Sequence, residues 1–155
     1  MADHFLQLSV IYEDLPDLIE IRVRVVHGEW SATSTAYVSP SFPAESGEAI
    51  LQWISAPTRQ LGIEAGADTG IGWIALQFYT IDHAGHARCA IRLASKTRTN
   101  DPRPAETSRF AIEFPTELGL IESFGRQCIA LSNNFKRDAR LIGLPAGFPA
   151  GSSPD

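Results

Sequence analysis

The sequence predicts a small single-domain α+β protein built on an antiparallel β-sheet or sandwich of about seven strands with two helices. Three observations predict this class. Most apolar residues alternate with polar ones, at the period of two of a half-buried strand. Two segments instead carry apolar residues at helical spacing, and short turn sequences separate most of the strands. The expected element order is β-β-β-α-β-β-β-β-α.

The first three strands are predicted to follow one another through turns. Residues 5–12 alternate loosely and end in the acidic turn Glu13-Asp14-Leu15-Pro16-Asp17. Residues 18–26 form the clearest strand, with β-branched residues on one face and charged residues on the other. His27-Gly28-Glu29 is typical of a tight hairpin in which Gly28 supplies a positive φ, and residues 30–38 form the return strand.

Helical spacing then predicts a helix within residues 39–56. Ser39 or Ser41 can cap it, Pro43 is tolerated in its first turn, and Pro57 ends it. The glycine-rich stretch that follows, residues 62–72, predicts a short strand and a turn.

Three more strands and a second helix are predicted in the second half of the chain. Residues 71–81 are apolar on both faces, which predicts a central strand covered on both sides, or on one side and by a helix. Strands over residues 86–95 and 106–114 follow. The last helix begins after Pro115 with Thr116 as its expected cap and continues through Leu131.

We expect residues 1–132 to form one α+β domain, since about 100–150 residues is the usual domain size. Prolines, glycines and serines in residues 133–155 predict a weakly ordered or docked tail. The apolar residues available for docking are Phe135, Leu141, Ile142 and Phe148.

Charge is unevenly distributed along the chain. Residues 1–87 hold eleven Asp and Glu against three Arg, a net charge of −8, whereas residues 88–155 have a net charge of +3. This asymmetry predicts an acidic surface that repels nucleic acid and attracts a basic protein partner, although ordinary solvation also explains it. Trp30 either anchors the contact or belongs to the core. The expected partner-binding residues are Glu13, Asp14, Asp17, Glu20, Glu29 and Trp30.

Nothing in the sequence predicts a secretory or membrane-spanning segment. The N-terminus lacks a basic region followed by an apolar stretch, and the most apolar segment has twelve residues where a spanning helix needs about 20. Cys89 and Cys128 are too few for a disulfide scaffold and are expected to be small buried residues. We therefore expect a cytoplasmic protein.

No motif predicts catalysis, a cofactor or a metal site. The sequence lacks a Gly-x-Ser-x-Gly nucleophile elbow, and the glycine-rich loop of residues 66–72 lacks the Lys-Ser/Thr of a phosphate loop. Asp82, His83 and His86 could supply two or three metal ligands, but a zinc site generally needs three or four. A hairpin loop is the favoured interpretation of this cluster.

Three segments, taken together, resemble small bacterial immunity-type proteins of the loosely WapI-like kind that are encoded beside polymorphic toxins. They are Ile19–Val25, the run from Phe78 to His86 with Arg88–Leu93 after it, and the closing helix through Leu131. The resemblance implies a non-catalytic cytoplasmic protein that neutralises a cognate toxin by steric and electrostatic occlusion.

Two other interpretations stay open at this point. One is a small-molecule-binding or accessory interaction domain of the β-sandwich type, with an aromatic pocket. The other is an uncharacterised hydrolase. The residues expected to line the aromatic pocket are Trp73, Phe78, Tyr79 and Phe110.

Overall fold

A computed structural model describes residues 3–67, 72–96 and 107–145, which form two antiparallel four-stranded sheets and two helices. The predicted α+β class is confirmed, and the observed order matches the predicted order with one further strand at its end. The elements are β1 (His4–Asp14), β2 (Leu18–His27), β3 (Trp30–Val38), α1 (Phe42–Ser55), β4 (Leu61–Gly66), β5 (Gly72–Thr80), β6 (His86–Lys96), β7 (Thr107–Glu117), α2 (Leu118–Asn133) and β8 (Asp138–Ile142).

The first sheet has the strand order β3-β2-β1-β8. The predicted alternation of β2 is confirmed, because its β-branched face is buried and Arg22 and Arg24 are exposed. The tight hairpin between β2 and β3 is confirmed as well, with Gly28 at a φ of 61°. Strand β8 lies within residues 133–155, for which the sequence predicted either a weakly ordered or a docked tail. It pairs with β1 from Phe5 opposite Ile142 to Ser9 opposite Asp138.

The second sheet has the order β4-β5-β6-β7, so β5 has a paired strand on each side. Its inner face is buried, but its outer face is only partly covered: Trp73 and Ala75 are half-buried and Gln77 is exposed. The predicted central position of β5 is confirmed, and its inner face packs against the helices, since the ring of Phe78 lies 6.4 Å from that of Trp53 and 6.5 Å from that of Phe124. The alternative of full coverage on both sides is wrong. Apolar and aromatic side chains can occupy a half-buried face by packing against cross-strand neighbours, so composition alone did not distinguish the two cases.

The inner faces of both sheets and one side of each helix form a single core. Where the sheets meet, the Ser34 hydroxyl of β3 donates a hydrogen bond to the Ala94 carbonyl of β6 at 2.8 Å. A space between these layers, lined by Leu8, Ile74, Phe124 and Cys128 among others, has a volume of about 20 Å³. The core is thus packed closely at this position.

Neither expected helix cap bonds the helix backbone. Ser41 stands at the N-cap of α1, but its hydroxyl donates to the side chain of Glu45 at 3.0 Å. The prediction for Thr116 is wrong, because β7 continues to Glu117 and Thr116 lies inside the strand. The buried Thr116 hydroxyl donates instead to the Ile142 carbonyl at 3.0 Å, and so links β7 to the end of β8.

The two helices approach each other at a pair of glycines. A Cβ atom on Gly47 would collide with the Gly125 carbonyl oxygen and would lie 2.7 Å from Cγ1 of Ile129. A Cβ atom on Gly125 would lie 2.7 Å from Cγ2 of Ile50. Because backbone and core atoms form these contacts, a side chain at either glycine forces the helices apart.

We expect Gly47→Ala to lower the free energy of unfolding by about 1–3 kcal/mol, since overpacking a core contact typically costs this much. Gly119→Ala is the matched control, because no atom lies within 4 Å of its Cβ position in α2. The control should leave stability unchanged or raise it by up to about 1 kcal/mol. Denaturant titration measures both variants, and equal effects would contradict the close helix contact.

A histidine pair lies at the end of the first sheet that carries the β2–β3 hairpin. His4 and His27 lie opposite each other in β1 and β2, and their Nδ1 atoms are 2.8 Å apart. The ring of His27 also lies 5.9 Å from the ring of Phe114 in β7, between centroids. Burial, and secondarily the charge of His4, lower the pKa of His27 below its ordinary value of 6.5. The folded state therefore favours neutral His27.

This shift predicts a loss of stability in mild acid. The contribution of His27 to the free energy of unfolding is fully present above about pH 6.5, the ordinary pKa of histidine, and it declines below that pH. The reason is that His27 takes up a proton more readily in the unfolded chain than in the folded protein. The unfolding free energy of the wild type should therefore fall more steeply between pH 7 and 5 than that of His27→Gln. Exposed His83→Gln is the control and should follow the wild type. Parallel curves for all three proteins would contradict this role.

Candidate partner-binding surface

Four of the six predicted contact residues gather at one end of the first sheet. Glu13 and Asp14 end β1, Asp17 lies in the turn, and Glu20 lies near the start of β2. The strand register places Tyr12 opposite Glu20, and the turn is closed by the Asp17 N–H, which donates to the Asp14 carbonyl at 2.9 Å. Antiparallel pairing therefore brings these carboxylates together around one hairpin.

Exposed apolar side chains share this end of the sheet. Ile11 is 42% exposed, Tyr12 53%, Leu15 54% and Tyr37 54%, and among the described residues they are four of seven large apolar side chains with such exposure. Tyr12 and Tyr37 flank Glu20 in a row across three adjacent strands, at a Cα spacing of about 10 Å. We call these residues the tip patch: Ile11, Tyr12, Glu13, Asp14, Leu15, Asp17, Glu20 and Tyr37.

Glu29 and Trp30 lie at the opposite end of the sheet, in the β2–β3 hairpin. The ten residues of β2 separate the two hairpins by roughly 30 Å. Trp30 is 68% exposed, so the interpretation of this residue as core is wrong. The six residues thus form two surfaces, because successive turns of an antiparallel meander fall at opposite ends of the sheet.

The acidic excess of residues 1–87 does not cover one face. Glu48 is exposed on α1, and Glu64 lies on the outer face of the second sheet, where it accepts a hydrogen bond from Trp73 Nε1 at 2.7 Å. The middle of the first sheet's outer face is basic: Arg24 and Arg140 both lie over the ring of Phe5, at 5.7 and 4.0 Å from its centroid. A local concentration of carboxylates is found at the tip patch.

The cluster around Asp82 closes the β5–β6 hairpin. One carboxylate oxygen accepts the N–H groups of Ala84 at 2.8 Å and His86 at 3.3 Å, and the other lies 2.7 Å from His86 Nδ1. Desolvation acts to raise the pKa of Asp82, but the hydrogen bonds from His86 and Ala84 hold that pKa below its ordinary value. Over residues 3–67, 72–96 and 107–145, no three His, Cys, Asp or Glu side chains are grouped to hold a metal ion.

The prediction for the two cysteines is confirmed. Both are buried in the core as free thiols. Burial raises the pKa of Cys128 to about 12, and it raises the pKa of Cys89 further. A thiol held protonated in this way is a poor nucleophile.

The aromatic residues proposed to line a ligand pocket lie on both faces of the second sheet. Phe78 and Phe110 belong to the inner face, whereas Trp73 and Tyr79 belong to the outer face. Tyr79 donates a hydrogen bond to Glu113 there. On this outer face an open depression of about 420 Å³ is lined by Trp73 and Arg92 among others. The structure therefore does not bring the four aromatic residues into one pocket.

Sequence patterns missed the apolar part of the tip patch. The alternation of β1 breaks at a bulge between Val10 and Tyr12, which hides the orientation of the residues after it. A bulge carries a weak signal in sequence, namely the apolar run Val10-Ile11-Tyr12 followed directly by acids. The exposure of these residues is a property of the tertiary structure.

Comparison with protein-family models, with curated proteins and with solved structures finds no match to this chain. The resemblance to immunity-type proteins therefore stays a prediction. In the part of the chain that the structure describes, no helix is long and apolar enough to cross a membrane.

The apolar members of the tip patch are expected to contribute little to folding. Tyr12→Thr and Leu15→Ser should each change the free energy of unfolding by no more than about 0.5 kcal/mol, because both side chains are exposed. Ile21→Ala, at a buried position of the neighbouring strand, should cost about 2–5 kcal/mol. Denaturant titration compares the three, and a large loss in the first two would assign the patch a structural role.

Proposed function

We propose that this protein is a non-catalytic immunity protein that binds a cognate bacterial toxin in the cytoplasm and neutralises it by steric and electrostatic occlusion. The observation that carries the proposal is the tip patch, where exposed apolar side chains and carboxylates meet at one end of the first sheet. The resemblance described above supplies the biological setting.

The apolar side chains of the tip patch can contribute to the affinity for a protein partner. Two tyrosines, a leucine and an isoleucine stand exposed in one place, and an exposed cluster of this kind is typical of a protein interaction site. Tyrosine is enriched at interfaces because it buries a large area while its hydroxyl keeps a polar partner. Burial of these side chains in a complex would supply the hydrophobic contribution to binding.

The carboxylates determine the kind of partner that the patch favours. Glu13, Asp14 and Asp17 are exposed, so they attract a basic surface during diffusional encounter and raise the association rate. A toxin that acts on nucleic acid needs a basic substrate-binding surface, since phosphate contacts dominate such binding. An acidic, rigidly held hairpin would cover that surface and block the substrate.

The first test is co-expression of the protein with the product of the adjacent gene, followed by isolation of a complex and measurement of growth. A stable complex and rescued growth support the immunity role. If the adjacent product is toxic and this protein neither binds it nor restores growth, the proposed function is refuted.

The second test locates the contact by charge reversal. Asp14→Lys/Asp17→Lys should lower the association rate at low salt by about tenfold or more, because electrostatic steering accounts for at least this range. Glu48→Lys/Glu117→Lys is the matched control, since it reverses two exposed carboxylates that lie outside the tip patch and outside the predicted partner-binding residues. We expect a change of less than about twofold in the control. Equal slowing by both variants would show that net charge, and not the tip patch, guides the encounter.

A further inference from the structure

We propose that the partner contributes an extended, basic segment that adds as a strand to the unpaired edge of β1 at residues Val10–Asp14. This inference deepens the proposed function and rests on it for the identity of the partner. The edge itself is a feature of the fold and can be tested separately.

The edge exists because β8 is shorter than β1. Strand β1 pairs with β2 from His4 to Asp14, but β8 pairs only with Phe5 to Ser9. Between α2 and β8 the chain makes a turn, in which the Arg137 N–H donates a hydrogen bond to the Asn134 carbonyl at 3.1 Å. No other described strand pairs with this side of β1, so five residues have an open side.

An open side of this kind presents hydrogen-bonding groups in a fixed direction. Along a strand, about half of the N–H and C=O groups are directed to each neighbour. Those on the open side of residues 10–14 have no partner strand among the described residues. Pairing with β2 holds Val10 and the residues from Tyr12 to Asp14 in position, while Ile11 is the unpaired residue of the bulge. An incoming extended segment can satisfy these groups, most regularly from Tyr12 to Asp14, which is the recognition mode called β-strand addition.

A groove provides room for such a segment. Its volume is about 520 Å³, and it lies between the edge residues Ile11 to Glu13 and the stretch before β8, represented by Phe135 and Lys136. The groove continues the line of β8, since Asp138, the first residue of that strand, also borders it. A strand of five residues is about 17 Å long. The added strand would thus occupy the place that a longer β8 would have filled.

The charges along the groove indicate the composition of the segment. Glu13 is exposed at the edge, with Asp14 after it and Glu20 across the pair from Tyr12. Because neighbouring residues of β1 face opposite sides of the sheet, carboxylates flank the added strand on both faces. Near β8 the groove is lined by two cations and one carboxylate, namely Arg22, Lys136 and Asp138, so its acidic end is the end at Glu13. The basic residues of the segment therefore belong at the end near Asp14, away from β8.

A second copy of this chain does not fit as the occupant. Antiparallel pairing of two β1 edges about Tyr12 would place Asp14 of one copy opposite Val10 of the other, so the carboxylate would meet no cation. Parallel pairing would bring the same carboxylates of the two copies together, and like charges facing each other across strands are destabilising. A basic segment supplies cations to Glu13 and Asp14, so the edge favours a different protein.

The test uses the full-length protein and two synthetic ten-residue peptides with blocked termini. One half of each peptide alternates Thr and Val, and the other half alternates Val with a charged residue, which is Lys in one peptide and Glu in the other. Amide hydrogen exchange, followed by NMR at saturating peptide, should slow by about tenfold or more at open-side amides of residues 10–14 with the Lys peptide. The Glu peptide should leave them unchanged. In Glu13→Lys/Asp14→Lys the Kd of the Lys peptide should rise by about tenfold or more, and in the control Glu48→Lys/Glu117→Lys by less than about twofold.

Three results would overturn the inference: no binding of the Lys peptide at millimolar concentration, equal binding of both peptides, or binding that leaves exchange at residues 10–14 unchanged. The outcome is separable from that of the proposed function. If the Lys peptide slows exchange at the edge but the adjacent gene product does not bind, strand addition at β1 is supported and the immunity role is refuted. If the toxin binds while these amides exchange at the free rate, the immunity role stands and strand addition fails.

Discussion

The antiparallel register of β1 against β2 is the constraint on which the rest of the candidate surface depends. The register sets the inward face of β2 against the core and places Tyr12 opposite Glu20. It also decides that the Leu15-Pro16-Asp17 turn and the Gly28-Glu29 turn fall at opposite ends of the sheet. A slip by one residue would exchange the two faces and remove the buried side chains from the core. The position of the tip patch is therefore enforced by the same burial that stabilises the sheet.

Close packing elsewhere fixes the remaining geometry. The helices meet at Gly47 and Gly125 without side chains between them, and α2 then leads through a turn into β8. Because β8 starts only at Asp138, it covers the first half of β1 and leaves the second half open. The length of α2 and the position of its last turn thus determine how much of the β1 edge is available. The candidate edge is a consequence of how the helix pair is joined to the first sheet.

Several titratable groups have structural explanations in this fold. Asp82 organises a hairpin, His27 packs between His4 and Phe114, and the two thiols fill the core. At the tip patch, by contrast, the exposed carboxylates of Glu13, Asp14 and Asp17 surround exposed apolar side chains that do not serve the core. Exposed apolar side chains clustered in this way are typical of interaction sites, which is the physical reason to propose recognition at this end of the sheet.

The fold class, the first seven strands and both helices followed from the sequence, because alternation and helical spacing both indicate which face of an element is buried. Strand β8 was harder to predict, since Asp138–Ile142 offers only two buried positions, Ala139 and Leu141, before the pattern ends. The cap assigned to Thr116 was wrong for a related reason. A threonine after a proline suits a helix start, and only the approach of Ile142 shows that its hydroxyl is used between strands.

For the candidate surface, the sequence by itself determined that carboxylates crowd the first hairpin and that Trp30 borders the second. Only the tertiary structure decided that these are two separate surfaces, that Trp30 is exposed, and that Tyr37 joins Tyr12 beside Glu20. The physical reason is that local patterns specify which way a side chain points relative to its own strand. Which strands are neighbours, and how far each pairing extends, depends on packing between segments as distant in sequence as β1 and β8.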